Sequence, residues 1–264
     1  MAEPILIREQ LGKVARLTLN RPAALNALSD AMLAALAENL ADIAQDSSTK
    51  VVILRGAGRA FCAGHDLKEM QAARASADRG RAYFADLFGR CSAMMLALRA
   101  LPQPVIAQVH GTAAAAGCQL VASCDLAVAA DDARFGVNGV NIGLFCSTPM
   151  VALSRNIAAK PALEMLLTGS MVSAARAQEL GLVNRVTTPA QLEAETLTLA
   201  DTIAAKLGRA VRIGKRAFYD QIALDEAAAY RMTSAVMAEN MLWPDTDEGV
   251  SAFLAKRQPD WPDE

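Results

Sequence analysis

The feature of this sequence that most constrains its fold is an apolar run that ends in a short loop and continues as a helix-like segment. Residues 51–54 are apolar and mostly β-branched, the run breaks at Gly56, and a helical pattern begins at Asp66. The first N–H groups of a helix have no partner inside the helix and lie at the positive end of its dipole. We therefore expect backbone N–H groups near His65 to face an anion or a developing negative charge.

A second turn of the same kind follows the apolar run at residues 105–109. There His110 and Gly111 open an alanine-rich turn that ends at Gly117 and leads into another apolar, helix-like segment. Two such turns can direct two N–H donors at one oxygen atom, which is the arrangement of an oxyanion hole. The two turns together predict a site that stabilises a negatively charged oxygen.

Neither turn matches a nucleotide-binding motif. After Gly56, the third glycine position of a dinucleotide fingerprint holds Phe61. The turn from Gly111 to Gly117 is not followed by the Gly-Lys-Ser/Thr of a P-loop. The alanines at 113–116 are also compatible with an ordinary helix start.

The pattern of apolar residues predicts an α/β fold at the start of the chain. Residues 5–7 and 14–19 are strand-like, with Gly12 in the turn between them. Ser29 and Asp30 then start a helix that carries one apolar stripe. With the strand-like residues that follow, the order becomes β-β-α-β.

Later segments are mainly helical. Between residues 150 and 180 we expect helices that break at Pro161 and at Gly169. From about residue 191 onward the pattern is helical almost throughout. We therefore predict a core with the site at residues 1–190 and a C-terminal helical region at residues 191–264.

The composition describes a soluble globular chain. Its 264 residues are 53% hydrophobic and carry 26 basic and 28 acidic side chains, for a formal net charge of −2. No cluster of lysine and arginine stands out, so we exclude a nucleic-acid partner. No apolar stretch is long enough to span a bilayer, so we expect no membrane partner either.

The cysteines and the N-terminus indicate a compartment. Five cysteines, an odd number, are widely spaced in apolar or alanine-rich surroundings, which is typical of buried reduced thiols. The N-terminus has an early acid and a short apolar run, unlike a secretory signal peptide. From these two features we expect a cytoplasmic location.

These segments resemble the enoyl-CoA hydratase/isomerase family, also called the crotonase superfamily. The resemblance is carried by residues 19–28, 60–67, 116–119, 123–126, 167–169 and 177–183. It implies a crotonase-like spiral of repeated β-β-α units, with C-terminal helices that cover the site and build a homotrimer or a homohexamer. In this family two backbone N–H groups polarise the thioester carbonyl of an acyl-CoA and stabilise its enolate, and by motif position they are those of His65 and Ala116.

Two departures from the family pattern concern its acid–base groups. Family hydratases carry two glutamates that handle water and the proton, and their positions here hold Gln119 and Gly139. Positioned acid–base groups contribute roughly 10² to 10⁴ in rate. We therefore expect hydratase activity to be weak or absent. The segments around His65 and residues 141–149 are similar to a subgroup of hydratase-domain proteins also found in mitochondria, which shares these losses.

The resemblance also suggests residues that contact the substrate. These candidates are Ala24, Ala63, Lys68 and Lys256 along coenzyme A, Asn141 and Cys146 near the acyl chain, and Asp66, which is also a candidate helix cap. Coenzyme A enters as part of the substrate, so no separate cofactor is implied. With only His65 and His110 as histidines and no ligand-spaced set, we expect no metal site.

Three functions remain open at this point. The first is an acyl-CoA enzyme of the hydratase/isomerase family. The second is a decarboxylase of malonyl-type thioesters, because loss of CO₂ forms the enolate without a base. The third is a binding or regulatory protein that has kept the pocket and lost the chemistry.

Overall fold

The chain folds into two β-sheets covered by helices, as described for residues 3–261 by this computed structural model. Within those residues the strands are β1 (Leu6–Leu11), β2 (Val14–Leu19), β3 (Val51–Gly56), β4 (Ala60–Cys62), β5 (Val105–Val109), β6 (Thr112–Ala114), β7 (Leu126–Ala130), β8 (Arg134–Gly136), β9 (Val172–Ser173) and β10 (Arg185–Thr187). Residues 1–2, in the predicted region 1–190, and residues 262–264, in the predicted region 191–264, lie outside the described part.

The helices separate these strands and then form the C-terminal part. They are α1 (Asp30–Gln45), α2 (Leu67–Ala73), α3 (Arg81–Ala100), α4 (Ala116–Ser123), α5 (Pro149–Leu153), α6 (Ala159–Thr168), α7 (Ala174–Glu179), α8 (Leu192–Ala204), α9 (Gly208–Gln221), α10 (Glu226–Met241) and α11 (Pro244–Leu254). Two short 3-10 helices cover Pro22–Ala24 and Asn138–Ile142.

Repeated units build the two sheets. The larger sheet has the strand order β1-β2-β3-β5-β7-β10, and the smaller has the order β4-β6-β8-β9. In the pairs β3/β4, β5/β6 and β7/β8, the first strand joins the larger sheet and the second joins the smaller one. The predicted α/β fold of repeated β-β-α units is therefore confirmed.

Both faces of the larger sheet are buried, which explains its unbroken apolar strands. On β3, Val52 and Leu54 pack into the main core with α1 and α3, while Val51 and Ile53 pack on the opposite face against α8. The predicted stripe of α1 lies fully in the main core, and the hydroxyl of Ser29 caps that helix by accepting the Met32 N–H at 3.2 Å.

The first residues beyond position 190 belong to this second buried face. Leu192 and Ala200 of α8 are buried against β3, β5 and β7. Helices α9, α10 and α11 follow, and α10 has no buried residue. A boundary after residue 190 stays a prediction.

Two local predictions were wrong. Pro161 does not break a helix, because it is the third residue of α6, where a backbone N–H has no helical partner to lose. The break falls before Ala159 instead. The sequence also predicts a loop where β4 lies and a helix start where β6 lies. These three-residue strands are too short to show a period, and they depend on pairing with each other.

No helix in the described part of the chain is long and apolar enough to cross a membrane.

Candidate active site

The first predicted turn positions the backbone N–H of His65. One hydrogen bond on each side of His65 holds this turn to the segment before α1. The Leu28 N–H donates to the carbonyl of Gly64 at 2.8 Å, and the Asp66 N–H donates to the carbonyl of Leu28 at 3.3 Å. His65 itself donates to no acceptor among residues 3–261. The backbone at His65 is therefore held in place while its own N–H stays without an acceptor in that part of the chain.

The second turn does the same for Ala116, the first residue of α4. Ala115 donates to the carbonyl of Gly136 at 2.8 Å and accepts from Gln119 at 3.0 Å, while the Ala116 N–H has no acceptor within the described chain. Ala115 holds φ of 49° and ψ of −116°, a conformation unusual for a residue with a side chain. Such conformations cost about 1–3 kcal/mol and concentrate at functional sites.

The two turns touch each other. A Cβ built on Gly64, which has φ of +99°, would lie 3.1 Å from the carbonyl oxygen of Ala114 and 3.4 Å from the nitrogen of Ala116. Gly117 packs more closely still, because a Cβ there would overlap the carbonyl oxygen of Cys62. The backbone next to His65 therefore lies beside the backbone of Ala116, and both residues lie at one wall of the molecule.

A cavity of about 300 Å³ opens at this wall. Six of the candidate residues line it: Ala63, His65, Ala116, Gly139, Asn141 and Cys146. The rest of the wall is mainly apolar and comes from α2, α3 and the segment between β8 and α5. This combination of a mostly apolar wall and a few fixed polar groups is typical of a small-molecule site.

Sequence reasoning missed part of the lining. Leu67 and Met70 of α2 and Phe88 of α3 face the cavity. Phe88 lies more than twenty positions from His65 in the chain, and nothing in the helical pattern of α3 distinguishes it from a core residue.

The side chain of His65 also belongs to the cavity wall. Its ring packs edge-on against Phe88, with ring centres 5.5 Å apart and planes at 75°. Both ring nitrogens are shielded from solvent and have no hydrogen-bond partner. Burial lowers the pKa of the ring, and the opposing effects of the Leu28 carbonyl and the Asp30 carboxylate are smaller. The ring is therefore neutral near pH 7.

The position of the second family glutamate is closed by the backbone. The N–H of Gly139 donates to the Sγ of Cys146 at 3.3 Å, and the N–H of Leu144 donates to the Gly139 carbonyl at 3.0 Å. A Cβ on Gly139 would overlap the carbonyl oxygen of Leu144. Glycine is therefore required by the path of this loop, and a longer side chain has no room.

Gln119, at the position of the first glutamate, lies outside the cavity lining. It is buried on α4, and its Oε1 atom has no hydrogen-bond partner. An enclosed amide oxygen of this kind neither donates nor accepts a proton at neutral pH.

The other candidate residues lie outside the cavity. Asp66 caps α2, because its carboxylate accepts the Lys68 N–H at 3.0 Å and pairs with Arg21 at 3.1 Å. Burial tends to raise the pKa of Asp66, but these donors outweigh it and lower the pKa. The side chain of Lys68 is exposed, Ala24 ends a 3-10 helix, and Lys256 follows α11.

Asn141 and the cysteines have structural contacts. The amide of Asn141 donates to the carbonyl of Gly169 at 3.3 Å, which ties the 3-10 helix to the end of α6. All five cysteines are buried free thiols, as predicted, and burial raises the pKa of Cys62 and Cys118 to about 12. Among residues 3–261 no group of three histidine, cysteine or acidic side chains could hold a metal ion.

Known proteins are similar to this chain in both sequence and fold. A model of the enoyl-CoA hydratase/isomerase family matches residues 9–264. The mitochondrial enoyl-CoA hydratase domain-containing protein 3 of Homo sapiens is 46% identical over 252 residues, which cover 96% of this chain and 82% of that protein. The crystal structure of that human protein superposes with a TM-score of 0.93 at 44% identity, covering 98% and 100% of the two chains. An enoyl-CoA hydratase structure from Mycobacterium smegmatis gives a TM-score of 0.95 at 56% identity, covering 98% and 99%.

The prediction of a cytoplasmic location was wrong by this comparison. The human relative and its counterparts in Mus musculus and Xenopus laevis are named as mitochondrial proteins. Buried reduced thiols indicate a reducing compartment but do not distinguish one such compartment from another.

The family match over nearly the whole chain and the shared fold have one explanation. This protein belongs to the enoyl-CoA hydratase/isomerase family.

Proposed function

We propose that this protein binds an acyl-CoA thioester and stabilises the thioester enolate with the backbone N–H groups of His65 and Ala116. What supports this proposal is that two residues with partnerless backbone N–H groups line the same mostly apolar cavity, on turns that lie side by side. Fixed donors in a site that excludes water stabilise a developing oxyanion without reorganising, which makes them a large term in catalysis.

Hydration of a 2-enoyl thioester is weak or absent in this proposal. Addition of water needs a group that activates the water and a group that supplies the proton. Gln119 does not line the cavity, and the backbone of Leu144 fills the space beside Gly139. The cavity therefore holds an enolate site without the acid pair that family hydratases use.

Coenzyme A is part of the substrate in this proposal, and no separate cofactor takes part. Ala63 lines the cavity, and in this proposal it lies along coenzyme A. Ala24 and Lys68 lie along the outer path of coenzyme A, and Lys256 reaches the nucleotide bound to a neighbouring subunit. Asp66 acts on the site indirectly, by capping α2.

The cavity offers nothing in favour of the decarboxylase. A malonyl-type substrate would place a carboxylate in a cavity whose described lining contains no lysine or arginine. A protein that only binds thioesters differs from an enzyme by the absence of turnover.

The apolar surface of the last two helices supports self-association. Tyr230, Met237 and Leu242 of α10 and its end are 68%, 70% and 80% exposed, and Phe253 of α11 is 82% exposed. Contiguous exposed apolar side chains of this size mark interaction surfaces. We propose that copies of this chain cover that surface in a homotrimer, or in a homohexamer of two trimers.

Acetoacetyl-CoA tests the oxyanion hole directly, because its enolate absorbs in the near ultraviolet. The wild-type protein should raise the enolate fraction at fixed pH. Ala116→Pro removes the N–H at the first position of α4, where proline suits the helix itself. We expect this variant to lose about 10-fold or more of the enolate stabilisation, in line with the loss of one oxyanion donor.

Ala116→Gly is the matched control, since it alters the same residue and keeps the N–H. It should retain enolate binding. Equal enolate absorbance with the proline and glycine variants, both folded, would contradict the assignment of the Ala116 N–H. Absence of any acetoacetyl-CoA binding by the wild-type protein would contradict the proposed function as a whole.

A further inference from the structure

A second cavity, away from the candidate active site, carries an excess of positive charge. It has a volume of about 610 Å³ and lies between the end of α3, helix α9 and the residue before α11. One carboxylate, that of Asp220, lines it, whereas the chain as a whole has a formal net charge of −2. Its cationic lining residues are Arg99, Arg209, Arg212, Lys215 and Arg216.

Helix α9 supplies most of this charge from one face. Arg209, Arg212 and Arg216 are spaced by three and four positions, so their side chains leave the helix on the same side. A charged face of this kind is ordinarily in contact with solvent. Here it lines an enclosed space instead, together with Arg99 of α3 and Trp243.

Two of the guanidinium groups are held by aromatic rings. The Cζ atom of Arg99 lies 4.4 Å from the centre of the Tyr219 ring, and that of Arg209 lies 3.8 Å from the centre of the Trp243 ring. The Trp243 N–H donates to the Glu239 carboxylate at 3.3 Å, which fixes that ring in turn. A cation stacked on a ring keeps its N–H donors at its edge, where they can bind an acceptor.

Arg99 has hydrogen-bonding capacity that the described part of the chain leaves unused. Its side chain is half-buried on α3, and it donates to no acceptor among residues 3–261. A guanidinium carries five N–H donors and no acceptor. Withdrawing such a group from water is unfavourable unless an anion binds it. Arg99 is therefore the side chain that most clearly calls for a ligand.

The nearby carboxylates do not balance the cations. Asp125 lies behind the lining, 2.7 Å from the Lys215 ammonium, and also accepts the Tyr219 hydroxyl at 2.8 Å. Asp220 lies 3.6 Å from Arg216, near the exposed end of that side chain. With both carboxylates counted against the five cations, positive charge remains in excess.

We propose that this cavity binds a small molecule with two or more phosphate groups. Guanidinium groups bind phosphate oxygens in pairs, through two parallel N–H donors. One phosphate group carries about −1.5 to −2 charges near pH 7, so balancing the remaining excess takes more than one. The cavity volume lies within the range of small-molecule sites. A nucleoside triphosphate and an inorganic polyphosphate share this chemistry.

The two cavities are separate. They have no lining residue in common. Helix α3 contributes Phe88 to the first and Arg99 to the second, and these residues lie about 16 Å apart along the helix, at about 1.5 Å per residue. Binding of the phosphate compound should therefore be independent of acyl-CoA binding, and the inference does not depend on the proposed function.

Calorimetric titration with inorganic triphosphate and with ATP tests the proposal and separates the two sources. The wild-type protein should bind inorganic triphosphate, with an affinity that falls as sodium chloride is added. Equal affinity for ATP would show that the phosphate groups alone are recognised. Tighter binding of ATP would show that the nucleoside also contacts the cavity.

Arg99→Gln removes one guanidinium and should weaken the binding of both compounds by about 10-fold or more, in line with the loss of a charged hydrogen bond. Arg99→Lys keeps the charge without the paired donors and should retain part of the affinity. Arg176→Gln is the matched control, because Arg176 lies on α7, outside the cavity lining, and its side chain is 52% exposed. This variant removes the same charge and should bind as the wild type does. Urea unfolding establishes that the variants are folded.

Three results would overturn the proposal. The first is a wild-type protein that binds neither compound at millimolar concentration. The second is equal weakening in Arg99→Gln and Arg176→Gln, which would show attraction by the overall charge of the surface. The third is displacement of the bound phosphate compound by acetoacetyl-CoA, which would place that compound in the candidate active site.

Discussion

At Gly139 the absent side chain is a requirement of the backbone. The Leu144 carbonyl occupies the volume that a Cβ would take, and the Gly139 N–H is bound to the Cys146 thiol. A glutamate at this position would therefore displace the loop, so the effect of such a variant on activity would combine the new carboxylate with the changed loop.

Gly139→Ala should lower the free energy of unfolding by about 1–3 kcal/mol, because overpacking forces the backbone to move. Urea unfolding monitored by circular dichroism measures the change. Gly89→Ala is the control, since Gly89 lies in α3 and a Cβ there meets no atom within 4 Å. That variant should be neutral or more stable by up to about 1 kcal/mol. Equal stability of Gly139→Ala and the wild type would disprove the overlap.

The two histidines make stability depend on pH. Burial lowers the pKa of both His65 and His110 below the ordinary value of 6.5. Below that value the unfolded chain binds protons that the folded chain does not, so stability is lost as the pH falls through 6.5 towards the folded pKa values. Carboxylates with lowered pKa values, such as Asp66, lose their stabilising effect only in stronger acid.

We therefore expect the free energy of unfolding to decrease between about pH 7.5 and about pH 5.5. Urea midpoints at several pH values measure this decrease. In His65→Gln the decrease should be smaller, because one of the two proton sites is gone. If the free energy of unfolding of this variant changes with pH as steeply as that of the wild type, His65 titrates alike in the folded and unfolded chains.

Among the elements, α9 depends on one buried ion pair. The ammonium of Lys215 lies 2.7 Å from the Asp125 carboxylate and also donates to the Gln103 carbonyl at 3.0 Å. The side chains of Lys215 and Asp125 are 7% and 13% exposed. The Tyr219 hydroxyl, one turn further on, donates to the same carboxylate at 2.8 Å. This cluster fixes α9 against the start of β5, where Val105 also donates to Asp125.

Lys215→Ala should lower the free energy of unfolding by about 3–5 kcal/mol, because it leaves a buried carboxylate without its cation. Thermal or urea unfolding gives the difference. Arg216→Ala on the same helix is the control, since its side chain is 86% exposed and its partner Asp220 is 3.6 Å away. Its effect should stay within about 0.5 kcal/mol. Similar losses in both variants would mean that helix propensity, and not the buried pair, sets the stability of α9.

For the whole molecule, the uneven burial of the helices is the main feature. Helix α8 closes the core over the larger sheet, whereas α10 packs against α9 and α11 and buries none of its residues. A helix that leaves large apolar side chains exposed gains stability by burying them against another chain. The proposed self-association accounts for the composition of this helix.

Met237→Glu combined with Phe253→Glu should dissociate the proposed assembly, because two charges would be buried at its contact surface. Sedimentation equilibrium of the wild type and the double variant gives the subunit number. Leu163→Glu is the control, because Leu163 lies on α6 and is also exposed, at 52%. This variant should assemble as the wild type does. A monomeric wild-type protein would rule out the assembly.

Local patterns were sufficient for much of the fold and for the backbone of the site. The apolar run of β3, the cap at Ser29 and the stripe of α1 follow from periodicity and capping, which act between residues close in sequence. The turns at His65 and Ala116 were found for the same reason. Helix α6 differed from its prediction because the effect of Pro161 depends on its position in the first turn.

The sequence by itself determined the α/β class and the positions of the two turns that hold His65 and Ala116. Only the tertiary structure decided which of the candidate residues meet in one cavity. It moved Gln119 out of the lining, closed the space beside Gly139 and placed Phe88 against His65. These facts depend on contacts between segments far apart in the chain, and periodicity and motif spacing describe only neighbours in sequence.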